Sequence, residues 1–468
     1  MQCGVIRSLR EPILRWRAKR QAAELLASLK VAARRFDLAK TSRYKWSVVG
    51  MLWCISFFNY ADRQAIYSLF PLLQKEMHLT LIQLGLLGSA FAWVYGLCAP
   101  FAGNIVDQVR RKTAILGGLY AWSSIAIATS LSRTFRQLFS FMALEGLGET
   151  FYVPASMSMI SDYHGRVTRS RAMGLHQTSV YVGTMAGGFF AGWIGERHGW
   201  RWSFVFFGSL GILLGSLLVR LLREPQRGAA DLEPIPANER VVIGKRVLLR
   251  EFLRIAWETP SVLMLMGAFV CANFVALVLF SWMPKFLYDK FGMSLAMAGL
   301  SATVFVQFAS MVGSPLGGWF ADLLRKKMAG GRMLVQAIAL FCGAPFVFLS
   351  GRTSSMAWVV VALTAWGLFK GFYDANIFAS IFDVIPPGAR GTGAGFMNMV
   401  GWLGGGGLAP VTIGFIAERA SLSLAISLAC LVYVAGGILL ATAFVCFARR
   451  DVALYEDLLG VEGGPSTP

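Results

Sequence analysis

Twelve mostly apolar stretches recur along the chain, at roughly 46–71, 82–106, 112–131, 137–162, 171–195, 202–222, 260–284, 294–320, 333–350, 357–384, 391–417 and 422–448. A helix of about 20 such residues crosses a bilayer. Within lipid a helix satisfies its backbone hydrogen bonds internally. The pattern predicts an all-α membrane protein with twelve transmembrane helices. Composition agrees: 15% of residues are charged, against about a quarter in soluble domains. The gaps are short, with one exception. Residues 223–259 are polar and contain Pro225, Pro234 and Pro236. They separate two sets of six runs and define expected units at 46–222 and 260–449. A segment 1–45 precedes these units, and a tail 450–468 follows them. The first run is too long and too internal for a signal peptide.

Charge sets the expected orientation. Of the 44 Lys and Arg, 33 fall on the side shared by both termini and the central linker, and nine on the other. Arg63 and Lys370 lie inside runs. The positive-inside rule then places both termini in the cytoplasm. The expected setting is a multi-pass protein of a bacterial inner membrane. Topology explains the formal charge of +19, so no nucleic-acid partner is implied. Residues 1–45 hold 12 basic and 3 acidic residues, interleaved with Ile13, Leu14, Trp16, Leu25, Leu26, Leu29 and Val31. They form either a basic helix on anionic membrane lipids or a tail that only fixes topology. A similar short helix is expected from Lys245 to Trp257.

The two halves repeat. Pro100, Gly103, Asp107 and the cluster Arg110-Arg111-Lys112 recur as Pro315, Gly318, Asp322 and Arg325-Lys326-Lys327, all displaced by 215 positions. Asn59 and Asn273 are 214 apart. A six-span repeat is the mark of a two-bundle transporter. Gly103, Asp107, Arg111 and Lys112, with their second copy, resemble the loop signature of the major facilitator superfamily. Gln108 and Arg110 depart from the usual pattern, where an arginine and a glycine are common. The resemblance covers about 46–449 and implies two pseudo-symmetric six-helix bundles that work by alternating access, with spans 1, 4, 7 and 10 lining a central cavity. It makes Gly103, Asp107, Arg111, Gly318 and Asp322 the expected gate, with each aspartate latching a helix end. Asn59-Tyr60-Ala61-Asp62-Arg63, Gly146-Leu147-Gly148-Glu149, Arg169-Ser170-Arg171-Ala172, Gly199-Trp200-Arg201-Trp202 and Arg223-Glu224-Pro225 resemble spinster-like and anion:cation-symporter-like members. Those relatives commonly carry an arginine seven residues before Glu149. Here that residue is Met142.

A charge at bilayer depth costs about 2.5–3.5 kcal/mol on insertion scales. Six charged residues meet that cost: Asp62, Arg63, Glu145, Glu149, Lys370 and Asp374. Four carboxylates face two permanent cations, so at least one carboxylate lacks a full basic partner. An unpaired carboxyl in an apolar setting favours its neutral form, which suits a proton carrier. Asp62, Glu149 and Glu145 are the expected proton-coupling residues. Glu145 and Glu149 share a helix face at i, i+4. Arg63 is expected to pair with Glu149, leaving Asp62 to titrate alone. Lys370 and Asp374, also i, i+4, are either a self-neutralising pair or an anion-binding lysine with its releasable partner. Arg63 and Lys370 could clamp a carboxylate or phosphate between the halves. Expected substrate contacts are Asn59, Arg63, His176, Tyr181, Asn273, Lys370 and Asp374. For His176 and Asn273, hydrogen-bonded packing is the competing reading.

The expected function is a secondary active transporter of an organic or amphipathic anion, coupled to protons. Its substrate is a small molecule or lysolipid-like anion. The alternatives are a uniporter, a sodium-coupled carrier of small carboxylates or sugar acids, and a non-transporting membrane sensor. An enzyme is not expected: HExxH and GxSxG are absent from the sequence. Seven dispersed cysteines without a CxxC pair give no metal or cofactor site and read as small core residues. A bundle pair of this kind is expected to work as a monomer.

Overall fold

The computed structural model describes residues 43–225 and 249–458. The described residues form twelve helical rods. These are α1 (43–68, continued by Phe70–Met77), α2 (Leu81–Gln108), α3 (Arg111–Thr129), α4 (Phe135–Glu149 then Tyr152–Tyr163), α5 (Arg166–His198) and α6 (Trp200–Leu221), followed by α7 (Pro260–Phe291), α8 (Leu295–Arg325), α9 (Gly331–Arg352), α10 (Met356–Asp374 then Ile377–Phe382), α11 (Arg390–Val400, Gly401–Gly406 and Ala409–Arg419) and α12 (Leu422–Thr442 running on to Leu458). The helix that continues α12 extends beyond the expected end of the second unit at 449. A short helix, Leu249–Glu258, precedes α7 and packs Phe252 against Phe396 at the start of α11. The expected surface helix within 1–45 lies outside the described residues.

Eight rods, α2 and α6–α12, are by themselves long and apolar enough to cross a membrane. The four that fall short, α1, α3, α4 and α5, all belong to the first half. Asp62 and Arg63 interrupt α1, Arg111 and Lys112 open α3, and Glu145 and Glu149 lie in α4. Arg166, Arg169 and Arg171 open α5.

The repeat is visible in how rods end. His78 after α1 and Gly292 after α7 both adopt left-handed backbone, with φ of 51° and 63°. Two residues later Thr80 and Ser294 cap α2 and α8 by accepting from Gln83 N and Met297 N. A left-handed residue turns the chain sharply, and a hydroxyl then satisfies a free amide of the next helix. Glycine supplies this turn without a Cβ penalty, whereas His78 pays it.

An even number of rods puts both chain ends on one side. On the opposite side the bundles are closed on each other. Gly188 of α5 meets Gly299 of α8 so closely that a Cβ on Gly299 would lie 2.2 Å from the Gly188 carbonyl oxygen. Gly85 of α2 meets Pro410 of α11 in the same way. Ile82 N donates to Glu418 at 3.0 Å, and Gln64 Nε2 donates to Phe280 O at 3.0 Å. On the side of the chain ends, Gly103 and Gly318 face open space. The outer thirds of α2 and α8 there expose Phe101, Leu316 and Trp319.

The expected core placement of the cysteines holds only in part. Cys54, Cys98, Cys271 and Cys430 are half-buried, but Cys342 and Cys446 are exposed on the outer faces of α9 and α12. In a bilayer the outer face is also apolar, so a small apolar residue does not mark the core.

Candidate functional site

Two helices break beside their charges. α4 is interrupted at Thr150–Phe151, directly after Glu149, and α10 at Ala375–Asn376, directly after Asp374. Backbone freed at membrane depth needs polar partners. Thr150 Oγ1 donates to Gly146 O, and Asn376 Nδ2 donates to Phe372 O at 2.9 Å and Gly317 O at 3.1 Å. Each half thus carries a discontinuous helix with a charged residue at its break, as in transporter sites near the bilayer midplane.

Between the bundles lies a cavity of about 520 Å³. Its charged lining is Arg63, Lys370 and Asp374; its polar lining includes Gln64, Gln177, Tyr181, Asn273 and Gln307. Lys370 Nζ donates to Asp374 Oδ2 along α10. The sequence brings Tyr181 and Asn273 to this wall as expected. It does not bring Asn59 or His176. Asn59 is buried and accepts from Arg63 Nη2 at 3.5 Å. His176 is buried within the first bundle, its Nε2 at 2.9 Å from Tyr152 Oη, which also donates to Leu52 O. His176 therefore sits in a packing hydrogen bond away from the cavity.

The three expected proton-coupling carboxyls also lie off the main cavity. Asp62, Glu145 and Glu149 are each less than 5% exposed. Arg63 bridges to Glu149 through Nε at 3.1 Å and Nη2 at 2.5 Å. Its guanidinium is caged by aromatic rings: Tyr60 at 4.6 Å, Phe91 at 4.5 Å, Tyr95 at 5.1 Å and Trp402 at 5.3 Å. Cation–π attraction strengthens when such a cage excludes water. Trp402 comes from the second bundle, so the first bundle's ion pair touches both halves. Asp62 is not alone. Asp62 and Glu145 line a separate small pocket with Arg63, Tyr67, Leu87, Phe91 and Met142.

Two of the residues expected at the gate, Arg111 and Asp322, form ion pairs, and the side chain of Asp107 lies outside the described residues. Arg111 Nε pairs with Asp162 Oδ2 at 2.9 Å. Asp322 accepts from Arg332 at 3.0 Å, and Arg332 also donates to both oxygens of Asp383 at 2.8 and 2.9 Å. The start of α3 is capped by a residue from α6's end: Glu224 Oε1 and Oε2 accept from Arg111 N and Lys112 N, each at 2.8 Å. A carboxylate there meets both the orphan amides and the helix dipole. Glu224→Ala is expected to cost about 1 kcal/mol, read as a lowered thermal unfolding midpoint in detergent; an unchanged midpoint contradicts the cap. Sequence reasoning noted Glu224 only as part of a motif, and it passed over Asp162, Arg332 and Asp383. Asp162 and Asp383 stand at the ends of α4 and α10, and only Arg332, at the start of α9, directly follows a repeated loop.

Comparisons with known proteins agree with this architecture. The sequence pattern of the Major Facilitator Superfamily matches residues 52–307 and 286–463. The chain is 24% identical to the "Probable galactarate/D-glucarate transporter" of Escherichia coli (strain K12), over 84% of this chain and 90% of that protein. It is 25% identical to the hexuronate transporter of Bacillus subtilis (strain 168), over 81% and 89%. It is also 25% identical to the protein spinster of Drosophila melanogaster, over 81% and 63%. A crystal structure of a bacterial homologue of the human lysosomal transporter spinster, in an inward-facing and occupied conformation, superposes with a TM-score of 0.70 at 20% identity. It covers 90% of this chain and 99% of that one. The Escherichia coli and Bacillus subtilis relatives are named as transporters, and the solved structure as a homologue of one. With its repeated loops, paired bundles and central cavity, this multi-pass membrane chain belongs to the major facilitator superfamily.

Proposed function

We propose that this protein is a proton-coupled secondary transporter of an organic anion, working as a monomer by alternating access. The observation that carries the reading is the division of charge. The cavity between the bundles holds two cations, while the three carboxyls of the first bundle are buried beside it. An anion entering the cavity meets Lys370, which can exchange Asp374 for the substrate. Arg63 contributes from the wall, although its guanidinium is already engaged by Glu149. The side of the chain ends, where the basic residues concentrate, is taken as cytoplasmic; the cavity then faces inward. The expected membrane is a bacterial inner membrane. The paired aspartate and arginine networks at the open ends are the elements whose regrouping would close that side.

Sugar acids are the favoured class. Gln64, Gln177, Asn273 and Gln307 beside Lys370 suit a polyhydroxy carboxylate, and relatives are named for galactarate, D-glucarate and hexuronate. The apolar part of the wall, Phe269, Leu277, Phe280 and Phe378, favours a second reading, a lysolipid-like anion.

The test is uptake into proteoliposomes under an imposed proton gradient. Labelled D-glucarate and lysophosphatidylglycerol would be offered separately. Accumulation that collapses with a protonophore supports the proposal and selects the substrate class. Uptake that ignores the proton gradient but follows a sodium gradient, or neither, overturns the proton coupling. Lys370→Gln is expected to weaken anion affinity about tenfold to a hundredfold. Unchanged half-saturation in that variant removes Lys370 from the binding site.

A further inference from the structure

We propose that Asp62 and Glu145 form one acid–carboxylate pair that holds a single shared proton, and that this pair, apart from the substrate cavity, is the coupling site. The inference rests on the proton-coupled reading above and names its proton site.

Two carboxyls in hydrogen-bonding contact can bond only if one of them is protonated. Asp62 and Glu145 line one small pocket and are almost fully buried. Asp62 Oδ1 and Glu145 Oε1 receive no hydrogen bond from any described donor. Like charges in such a pocket cannot both stay ionised without a cation. The cation next to them is Arg63, and it is committed to Glu149 and Asn59. The other residues around the pocket supply none. From α1 come Ile66 and the Tyr67 phenol; from α2, Leu87, Gly88 and Phe91; from α4, Met142. Met142 is buried one turn before Glu145 on the wall of this pocket. Its thioether carries no charge, so α4 supplies no cation to this pocket.

The pocket shares Arg63 and Tyr67 with the substrate cavity. The proton and the substrate therefore occupy adjacent chambers with a common wall. Losing the proton changes the pair from one negative charge to two, directly behind Arg63. That lowers the potential in the cavity and disfavours an anion. By reciprocity, a bound anion raises the pair's hold on its proton. Proton and anion then bind together and leave together, which is symport.

Infrared difference spectroscopy of the intact protein in nanodiscs tests the pair without any substrate. At neutral pH the wild type is expected to show one protonated-carboxyl C=O band that shifts in heavy water and vanishes as pH rises. Each single variant, Asp62→Asn and Glu145→Gln, is expected to change the frequency and the pH response of the band, because the remaining buried acid loses its partner carboxyl, with each variant checked for a monodisperse fold. Absence of the band in the wild type, or a band unchanged in frequency and pH response in both variants, overturns the pair. The wild-type titration stands alone if a variant does not fold.

Transport separates this inference from the reading beneath it. If the wild type accumulates D-glucarate or lysophosphatidylglycerol with the proton gradient and Glu145→Gln does so equally well, the pair is not the coupling site, and proton coupling survives. If the band is present but wild-type uptake ignores the proton gradient, proton coupling itself fails, and the coupling role of the pair fails with it. Loss of gradient-driven accumulation in Glu145→Gln, with exchange of preloaded substrate retained, supports the inference.

Discussion

Arg63→Met is expected to destabilise the protein by about 3–5 kcal/mol, the usual cost of removing one partner of a buried ion pair. The cause is Glu149, which is fully buried at the break in α4 and loses both of its bonds to the guanidinium. The loss of cation–π contact with four rings adds to it. Replacing both partners, Arg63→Met with Glu149→Met, is expected to recover most of the loss, since no uncompensated charge is left behind. Thermal unfolding in detergent, followed by tryptophan fluorescence, checks both variants. A double variant no more stable than Arg63→Met would mean that the aromatic cage, which joins Arg63 to α2 and α11, and not the ion pair to α4, supplies the stability.

Gly299→Leu is expected to push the bundles apart on the side away from the chain ends. A Cβ at that position meets the Gly188 carbonyl oxygen at 2.2 Å and Ser68 Oγ at 2.6 Å. The Gly188 carbonyl cannot retreat without separating α5 from α8. Overpacking of this kind costs typically about 1–3 kcal/mol. The cost falls only on the conformation in which the seam is shut. At the upper end it shifts the balance between access states by roughly a hundredfold. The readout is labelling of Gln64→Cys by an impermeant maleimide added on the sealed side, in a background without native cysteines. Labelling is expected to rise strongly in Gly299→Leu and stay low in Gly318→Leu, whose position faces open space. Equal labelling in both would show that the seam does not govern access.

What the sequence revealed about this fold follows from which forces act locally. The repeat was legible because the loops after α2 and α8 keep Pro100 and Pro315, Gly103 and Gly318, and Asp107 and Asp322 at one spacing within a few neighbouring residues. The membrane charges were legible because each one violates the apolar pattern around it. Their partnerships were legible only in part. Arg63 with Glu149 could be anticipated, because one permanent cation and one carboxylate sat on two rods expected to line the same cavity. Asp62 with Glu145 could not, since it depends on the rotation of α1 against α4 and on the apolar contact made by Met142. His176 was placed toward the cavity because a polar residue on an apolar helix suggests an opening. The competing solution, a single hydrogen bond to Tyr152 inside the bundle, looks the same in one dimension. Glu224 escaped notice because its two acceptors reach across more than a hundred positions of chain to the start of α3.

The shortfall of apolar character in α1, α3, α4 and α5 bears on biogenesis. A rod that carries an unpaired charge enters the lipid phase poorly by itself. α1 emerges from the ribosome with Arg63 exposed, and its neutralising carboxylate arrives only with α4. Insertion of the first half is therefore expected to be concerted, with α1 retained until α4 supplies Glu149. The second half, whose six rods all meet the requirement individually, can be threaded one helix at a time. A nascent chain truncated before α4 should be held back from the bilayer, and the same truncation placed in the second half should not.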